Sequence, residues 1–553
     1  MDEPTLDPVN TEDFEDYHAV PASRAAGLAG STTTRALAAA GLIVTVASLG
    51  SRILGFVRYV VIARAVPDLS SLDAFNAAFR IPDFLFQLVA AGALASALVP
   101  VIASLFATGE TPRAWRVVST VTTLILSALL VLVVIAEAFA PQLVAFIAPG
   151  FTGTQLQLTT DLTRVMLLSP MFMAGGAIAS AALNARGRFA AASVAPLVYN
   201  LGIIAGAVFL VPAMGVIGLG VGVVIGAAGH LLVQVPGMRS IGAHVRPSAK
   251  LSDDATRKTL LLMGPRAIGL GATQIVFLVM TSLATQLPPG SVTAFNYAFA
   301  LLQIPIGVIG VPLGTVLLPS LSREAALGDT AAFRRLLVRG LNLLAYVMLA
   351  ISALGIPVAA DVVREAYGLT HLDPQVMGWI AASLAVFFIG LTAHSLIAVL
   401  ARAFYALQDT ATPVIAGIVA VGVNIVVGVA LVGPMGLTGL AVAIAVGAWL
   451  ETGILAALLG RRQPGLGLRE VWLMMARSAI AAVPGAIVSW LVTSALVSAW
   501  GADASFGVTF VRLCLATAAG GSVMLAASVA LRIEEPRRML GIVLDLARRG
   551  SRG

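Results

Sequence analysis

The sequence predicts an all-α polytopic membrane protein of about fourteen transmembrane helices. Three observations predict it. Of 553 residues, 59% are hydrophobic and mean hydropathy is +0.96. Only 11% are charged, against about 25% in soluble globular domains, so lipid must solvate most of the chain. The apolar stretches run about 20 residues without period-two alternation, which selects helices over a closed barrel.

Residues 1–35 are polar and acid-rich (Asp2, Glu3, Asp7, Glu12, Asp13, Glu15, Asp16) and are expected to form a disordered cytoplasmic tail. No basic stretch precedes an apolar core there, so this is not a signal peptide. Fourteen spans then follow at 37–66, 74–106, 115–140, 161–184, 189–211, 216–237, 258–284, 292–320, 336–358, 376–402, 411–432, 437–459, 471–497 and 508–531. Turn signals such as Pro288-Pro289-Gly290 and Gly433-Pro434 separate them. The six loops after even-numbered spans hold sixteen basic residues, and the seven after odd-numbered spans hold only Arg364. The positive-inside rule therefore puts both termini in the cytoplasm, in the cell membrane. The basic tail 532–553, with Arg537, Arg538, Arg548 and Arg549, agrees.

The chain also repeats. Ile81-Pro82 recurs as Ile304-Pro305, the run ending at Pro100 as that ending at Pro319, Pro196 as Pro413, and Gly218-Leu219 as Gly439-Leu440, at offsets of 223, 219, 217 and 221. Near-equal offsets in chain order predict a parallel six-helix repeat: a first lobe over 36–238, a cytoplasmic linker over 239–257 and a second lobe over 258–460. Two added helices follow within 461–531. Two packed lobes leave a central cavity of the kind a transporter needs.

An arginine at a helix centre costs about 2.5–3.5 kcal/mol on insertion scales. Span 1 carries Arg52 and Arg58, span 2 Arg80 and span 7 Arg266, so these side chains are expected to face protein or a watery cavity. Thr45, Ser48, Arg52, Gly55 and Tyr59 form one stripe on span 1, and Asn76, Arg80, Asp83 and Gln87 one on span 2. Asn296 and Gln303 share a face of span 8. Spans 1, 2, 7 and 8 are thus expected to line the cavity. Guanidinium groups suit phosphate oxygens, and with few acids to neutralise them they imply an anionic ligand. Arg64 and Arg402 are expected to snorkel to an interface, and Arg80 has Asp73 and Asp83 as structural partners within reach. Gly264, Pro265, Gly269, Pro305 and Pro312 are candidate hinges. Asn424 and Glu451 form a possible cation site, while His230 and His394 read as interhelical hydrogen-bonding groups or proton carriers.

Other chemistries are excluded. The net charge of +7 and pI near 10 come from loop residues dispersed between spans, so no nucleic-acid partner is implied. The single cysteine, Cys514, allows no disulfide framework or cysteine zinc site. With only Lys250 and Lys258 there is no phosphate-binding loop, and no metal-enzyme or nucleophile-elbow motif occurs. No cofactor, metal or enzymatic activity is expected.

The run Gly50-Ser51-Arg52-Ile53-Leu54-Gly55-Phe56-Val57-Arg58 resembles the signature of the bacterial lipid II flippase family, the MurJ or MviN type. Asp73-Ala74-Phe75, Phe79-Arg80-Ile81-Pro82, Gly92-Ala93-Leu94, Val99-Pro100 and the stretch from Gln303 to Ser322 are similar to it as well. The resemblance implies the multidrug/oligosaccharidyl-lipid/polysaccharide flippase fold. It also implies alternating access that carries undecaprenyl-diphosphate-linked peptidoglycan precursor between leaflets, and cell-wall synthesis proteins as possible partners. It implies a cationic cavity for the diphosphate, a groove by the last two helices for the prenyl tail, and functional roles for Arg52 and Arg58. The chain departs from the family pattern at Tyr59, Phe86, Ala91 and Ala300, losing two family cations, and Arg80 and Arg266 are expected to replace them in part. Rival readings are a carrier for another lipid-linked glycan or a drug, a polytopic glycosyltransferase, and a non-transporting scaffold derived from a flippase.

Overall fold

The computed structural model describes residues 31–88, 93–501 and 505–539, with side chains described except at 31–43, 93–96, 262, 264–266, 268–270 and 272–273. The expectations for the tail 1–30, for Ala91 and for most of the basic tail lie outside these residues, as do those for Gly264, Pro265, Arg266 and Gly269.

The described residues are all-helical and contain no strand. The first helices are α1 (Ser31–Ala65), α2 (Leu69–Ala78), α3 (Arg80–Phe86), α4 (Ala93–Ala107), α5 (Thr111–Ala138), α6 (Ala140–Ile147) and α7 (Gly153–Met166). Next come α8 (Ser169–Ala185), α9 (Phe189–Ala205), α10 (Val211–Met214), α11 (Ile217–Leu232) and α12 (Val235–Ser240). The remainder are α13 (Asp254–Thr285), α14 (Ser291–Pro305), α15 (Val311–Ala326), α16 (Thr330–Gly355), α17 (Ala359–Tyr367), α18 (Pro374–Ala406), α19 (Ala411–Arg462), α20 (Leu468–Trp500) and α21 (Phe506–Ala530). Among them, 11 helical stretches are long and apolar enough to cross a membrane. Large apolar side chains face outward, with Phe146 81% and Phe209 72% exposed, as lipid-facing surfaces require.

Acidic residues, scarce in this chain, start helices. Asp68, Asp253, Asp329 and Asp373 each accept a backbone N–H of the first turn of α2, α13, α16 and α18, which satisfies an otherwise orphan donor. Prolines break helices. Pro82 has no N–H to return to Ala78, and α2 gives way to α3 at Phe79. Pro305 ends α14, a π-helical turn follows at Ile306–Gly310, and Pro312 opens α15. Gln87 and Leu88, six residues beyond the matching Ile81-Pro82, are also π-helical, so both copies of the repeated dipeptide lead into a distorted turn. In α19, Gly436 after Pro434 has φ of 56°, which bends that 52-residue stretch.

The main buried cluster runs through both halves of the chain, from Ile62 to Met475. A second joins residues between Ile81 and Ala182 with Met263. Helices α9 and α11 cross at glycine: a β-carbon on Gly202 would lie 2.2 Å from the Gly226 α-carbon, the close approach small residues permit. Tyrosines tie α1, α14 and α17 together. The Tyr297 hydroxyl donates to the Tyr59 carbonyl at 3.1 Å, and the Tyr367 hydroxyl donates to the Tyr297 carbonyl at 3.1 Å.

Candidate substrate cavity

A cavity of about 480 Å³ opens between α1, α3, α13, α14 and the π-turn after α14. Its polar lining is Arg52, Arg58, Tyr59, Arg80, Asp83, Gln274, Asn296 and Gln303, and its apolar lining includes Phe56, Phe277, Phe299 and Ala300. A recess of about 160 Å³ shares Arg58, Tyr59, Arg80, Asp83 and Asn296 and adds Asn76. The described walls thus carry three arginines against one aspartate.

The arginines are held differently. Arg80 is anchored: its Nε donates to Thr281 Oγ1 at 3.0 Å, its Nη2 to Asn296 Oδ1, and its guanidinium lies 5.3 Å from the centre of the Phe277 ring. Arg58 lies 5.2 Å from the Tyr59 ring centre. Arg52 is exposed and leans on Gly307, where a β-carbon would come within 1.8 Å of its Nη1. Ion pairs among the described residues form elsewhere, so none of the three has a carboxylate within 4 Å. The expected pairing of Arg80 with Asp73 or Asp83 is therefore corrected. Local spacing put those carboxylates within reach, but tertiary packing offers Arg80 the acceptors of Thr281 and Asn296 instead. Asp83 accepts from Gln274 at 3.3 Å and is contacted by Gln87, which does not itself line the cavity.

Asp73 turns away from the arginines. Its Oδ2 accepts the Gly290 N–H at 2.7 Å, and its Oδ1 accepts the Thr293 N–H at 2.8 Å and the Thr293 hydroxyl at 2.6 Å. Asn76 adds a bond from Nδ2 to Thr293 Oγ1 at 3.1 Å. One carboxylate on α2 thus caps the N-terminus of α14, more than 200 residues away in sequence. Its only early signal was the Asp73-Ala74-Phe75 match.

Asn424 and Glu451 lie apart from the arginine cavity. Asn424 is buried with Oδ1 unpartnered, against Gly447, and the Glu451 carboxylate faces Gly417 across the same bent stretch. Among the described residues no three metal-ligating side chains cluster. His230 Nδ1 and His394 Nε2 are buried without partners. Arg64 is exposed, whereas Arg402 donates to the Ala398 carbonyl at 2.7 Å and to Thr315 Oγ1 at 3.2 Å.

The sequence model of the family described as lipid II flippase MurJ matches residues 62–535. The chain belongs to that family. It is 33% identical over 434 residues to the lipid II flippase MurJ of Burkholderia cenocepacia, which covers 76% of this chain and 82% of that one. It is 30% identical over 487 residues to the probable lipid II flippase MurJ of Vibrio cholerae, covering 85% and 92%. A solved lipid II flippase MurJ in an inward closed conformation has the same fold, with a TM-score of 0.72 and 21% identity over 89% of this chain and 99% of that one. An inward-facing multidrug resistance MATE family transporter of the MOP superfamily shares the fold more loosely, at a TM-score of 0.61 and 16% identity over 77% and 96%. MurJ-family membership makes this a multi-pass membrane transporter rather than a member of a catalytic class. Ala300 lines the cavity one turn from Asn296, the residue that holds Arg80.

Proposed function

We propose that the chain translocates lipid II, the undecaprenyl-diphosphate-linked peptidoglycan precursor, from the inner to the outer leaflet of the cytoplasmic membrane by alternating access. The observation that carries this is the group of three cavity arginines with no carboxylate in ion-pair range among the described residues. Three guanidinium groups facing a single carboxylate, Asp83, in a largely apolar bundle are stabilised when a diphosphate supplies further negative charge. The names of the relatives support the same cargo.

The reading extends to architecture. Counting α19 as two spans bent at Gly436, with α2–α4 and α13 as one span each, gives fourteen spans. They are arranged as lobes 36–238 and 258–460, linker 239–257 and added helices within 461–531, with both termini cytoplasmic. In the cycle, Arg52 and Arg58 receive the diphosphate, while Tyr59, Asn76, Asn296 and Gln303 meet sugar and phosphate oxygens. Arg80, pinned beside Ala300, partly replaces a family cation, and Arg266 on α13 is proposed to do the same. Gln87 acts through Asp83. The π-turn between Pro305 and Pro312 serves as one hinge, and Gly264, Pro265 and Gly269 as the other. The Asp73 cap on α14 closes the outer side. An apolar groove of about 700 Å³, lined by Ile356, Ile389, Trp449, Val483, Ile487 and Trp490 among others, suits the prenyl chain. Asn424 and Glu451 are the candidate cation site.

The test is leaflet exchange of purified lipid II in proteoliposomes. Wild type should exchange it and Arg52→Ala should be slowed at least tenfold. Equal rates for the two, or no exchange by wild type, reject the reading.

A further inference from the structure

Three glycines along the helix that continues α14 into α15 meet polar side chains from neighbouring helices. At Gly307 the neighbour is the Arg52 guanidinium, 1.8 Å from where a β-carbon would be built. At Gly310 it is Ser395, whose Oγ would be 3.3 Å away. At Gly314 it is Arg402, with Cδ and Nη1 each 2.9 Å away. Gly307 and Gly310 lie in the π-helical turn and Gly314 in the first turn of α15, and seven residues span about 10 Å along a helix. The helix is therefore met by two guanidinium groups at points about 10 Å apart along its length, with a hydroxyl against it between them.

That hydroxyl is an orphan. Ser395 Oγ is fully buried and has no hydrogen-bond partner, an arrangement buried hydroxyls rarely keep without a use. Arg402 is half-buried and anchored at only two of its donors, by the Ala398 carbonyl and the Thr315 hydroxyl. Among the described residues no carboxylate lies within 4 Å of it. A guanidinium that only snorkelled would point its head to the interface. This one packs across Gly314 and turns back to the Ala398 carbonyl, one turn toward the start of α18. The cations are thus ordered along the α14–α15 helix: Arg402 at Gly314, Arg52 at Gly307, Arg80 at Asn296.

We propose that Arg402 is the first diphosphate-holding side chain on the inner route to the cavity, passing the anionic head of the cargo on to Arg52. This rests on the flippase reading and on its inside-terminal orientation. Arg402 supplies N–H donors and positive charge to phosphate oxygens and forms no covalent bond.

The experiment measures exchange of purified lipid II at varied concentration in phosphatidylcholine vesicles. Arg402→Ala should raise the half-saturating concentration roughly three- to tenfold, as loss of one partly solvated charge-assisted contact would, with maximal rate within about twofold of wild type. Arg402→Lys should show a smaller shift. Gly314→Ala, which displaces the guanidinium but keeps its charge, should shift half-saturation in the same direction. If Arg402→Ala does not fold, Thr315→Val, which frees Nη2, takes its place with a smaller expected shift. A lower maximal rate and melting temperature at unchanged half-saturation would mean a structural role and overturn the proposal. So would a shift seen only after anionic phosphatidylglycerol is added, because Arg402 would then be reading bulk lipid. Unchanged half-saturation in a preparation where Arg52→Ala abolishes exchange rejects this inference alone. Absence of exchange by wild type rejects the flippase reading and this inference with it.

Discussion

The guanidinium of Arg52 on α1 lies on the backbone of Gly307, in the π-turn between α14 and α15, closely enough that no β-carbon fits without moving it. Glycine at 307 is a seat for a cavity cation contributed by the other half of the chain. Gly307→Val should displace Arg52 and reduce lipid II exchange in the same direction as Arg52→Ala, by about tenfold. Two residues acting through one contact are not additive, so the double variant should be no slower than Arg52→Ala alone. An additive loss in the exchange assay would separate the two positions.

The cap of Asp73 on α14 makes a second prediction. Its carboxylate takes two backbone N–H groups and a hydroxyl, all buried, and bonds to a charged acceptor contribute about 1.5–3 kcal/mol each in favourable settings. Asp73→Ala should therefore weaken the α2–α14 contact and raise the outward-open population at least tenfold. The chain has one cysteine, the exposed Cys514, so spin labels in a Cys514→Ser background can report the distance between α2 and the N-terminal end of α14. An unchanged distance distribution in Asp73→Ala would remove the cap from the gating scheme.

Sequence alone exposed the arginines because charge inside an apolar run is expensive wherever it lies, and helical spacing brought Tyr59, Asn76, Asn296 and Gln303 to the same faces. It could not show which acceptors those cations use. Arg80 has Asp83 three residues away, yet its bonds go to Thr281 and Asn296, positions about 200 residues distant that only packing brings near. Asp73 was misread for the same reason, since its partners lie 217 and 220 residues away. Gly307 lies between the hinge candidates Pro305 and Pro312, and an absent side chain carries no chemical label; its part in seating Arg52 exists only in three dimensions.

At the ends of the helices assigned to the cytoplasmic side, Arg113 reaches both oxygens of Asp253, at 3.0 and 3.2 Å, while Asp253 also caps α13 through the Ala255 N–H. Further along, Ser119 and Thr123 of α5 accept the backbone N–H groups of Arg246 and Ser248, which fastens the segment before α13 to α5. The hydrogen bond from Arg113 holds the Asp253 carboxyl below its ordinary value of 3.8, and the same pairing raises Arg113. A depressed acid contributes stability above its unfolded pKa and loses it only as pH falls through the folded value. The fastening should therefore be constant between about pH 5 and 9 and weaken only below the usual carboxylate range. Arg113→Glu should increase proteolysis of the 241–253 segment, and Arg113→Glu with Asp253→Arg should restore protection only in part, because arginine cannot replace the Asp253 cap on α13. Protection in the single variant equal to wild type would count against the pair.

The pair of Arg512 on α21 and Asp361 on α17 is the most buried ion pair among the described residues, and it predicts an asymmetric mutational response. Arg512 Nε donates to Asp361 Oδ2 at 2.9 Å, Nη2 donates to Oδ1, and Nη1 donates to the Gly501 carbonyl at 3.0 Å. Both side chains are at most 5% exposed. Removing one partner leaves a charge buried without compensation, a loss of about 3–5 kcal/mol, whereas replacing both by apolar groups of similar volume removes the desolvation penalty together with the attraction. Arg512→Met alone should lower the melting temperature of the detergent-purified protein sharply, and Asp361→Leu alone should do likewise. Arg512→Met with Asp361→Leu should recover most of the loss, short of wild type because the Gly501 carbonyl stays unpaired. If the pair only fastens α21 to α17, the double variant should exchange lipid II at a near-normal rate. A stable double variant that fails to exchange would instead assign the charges a part in the transport cycle.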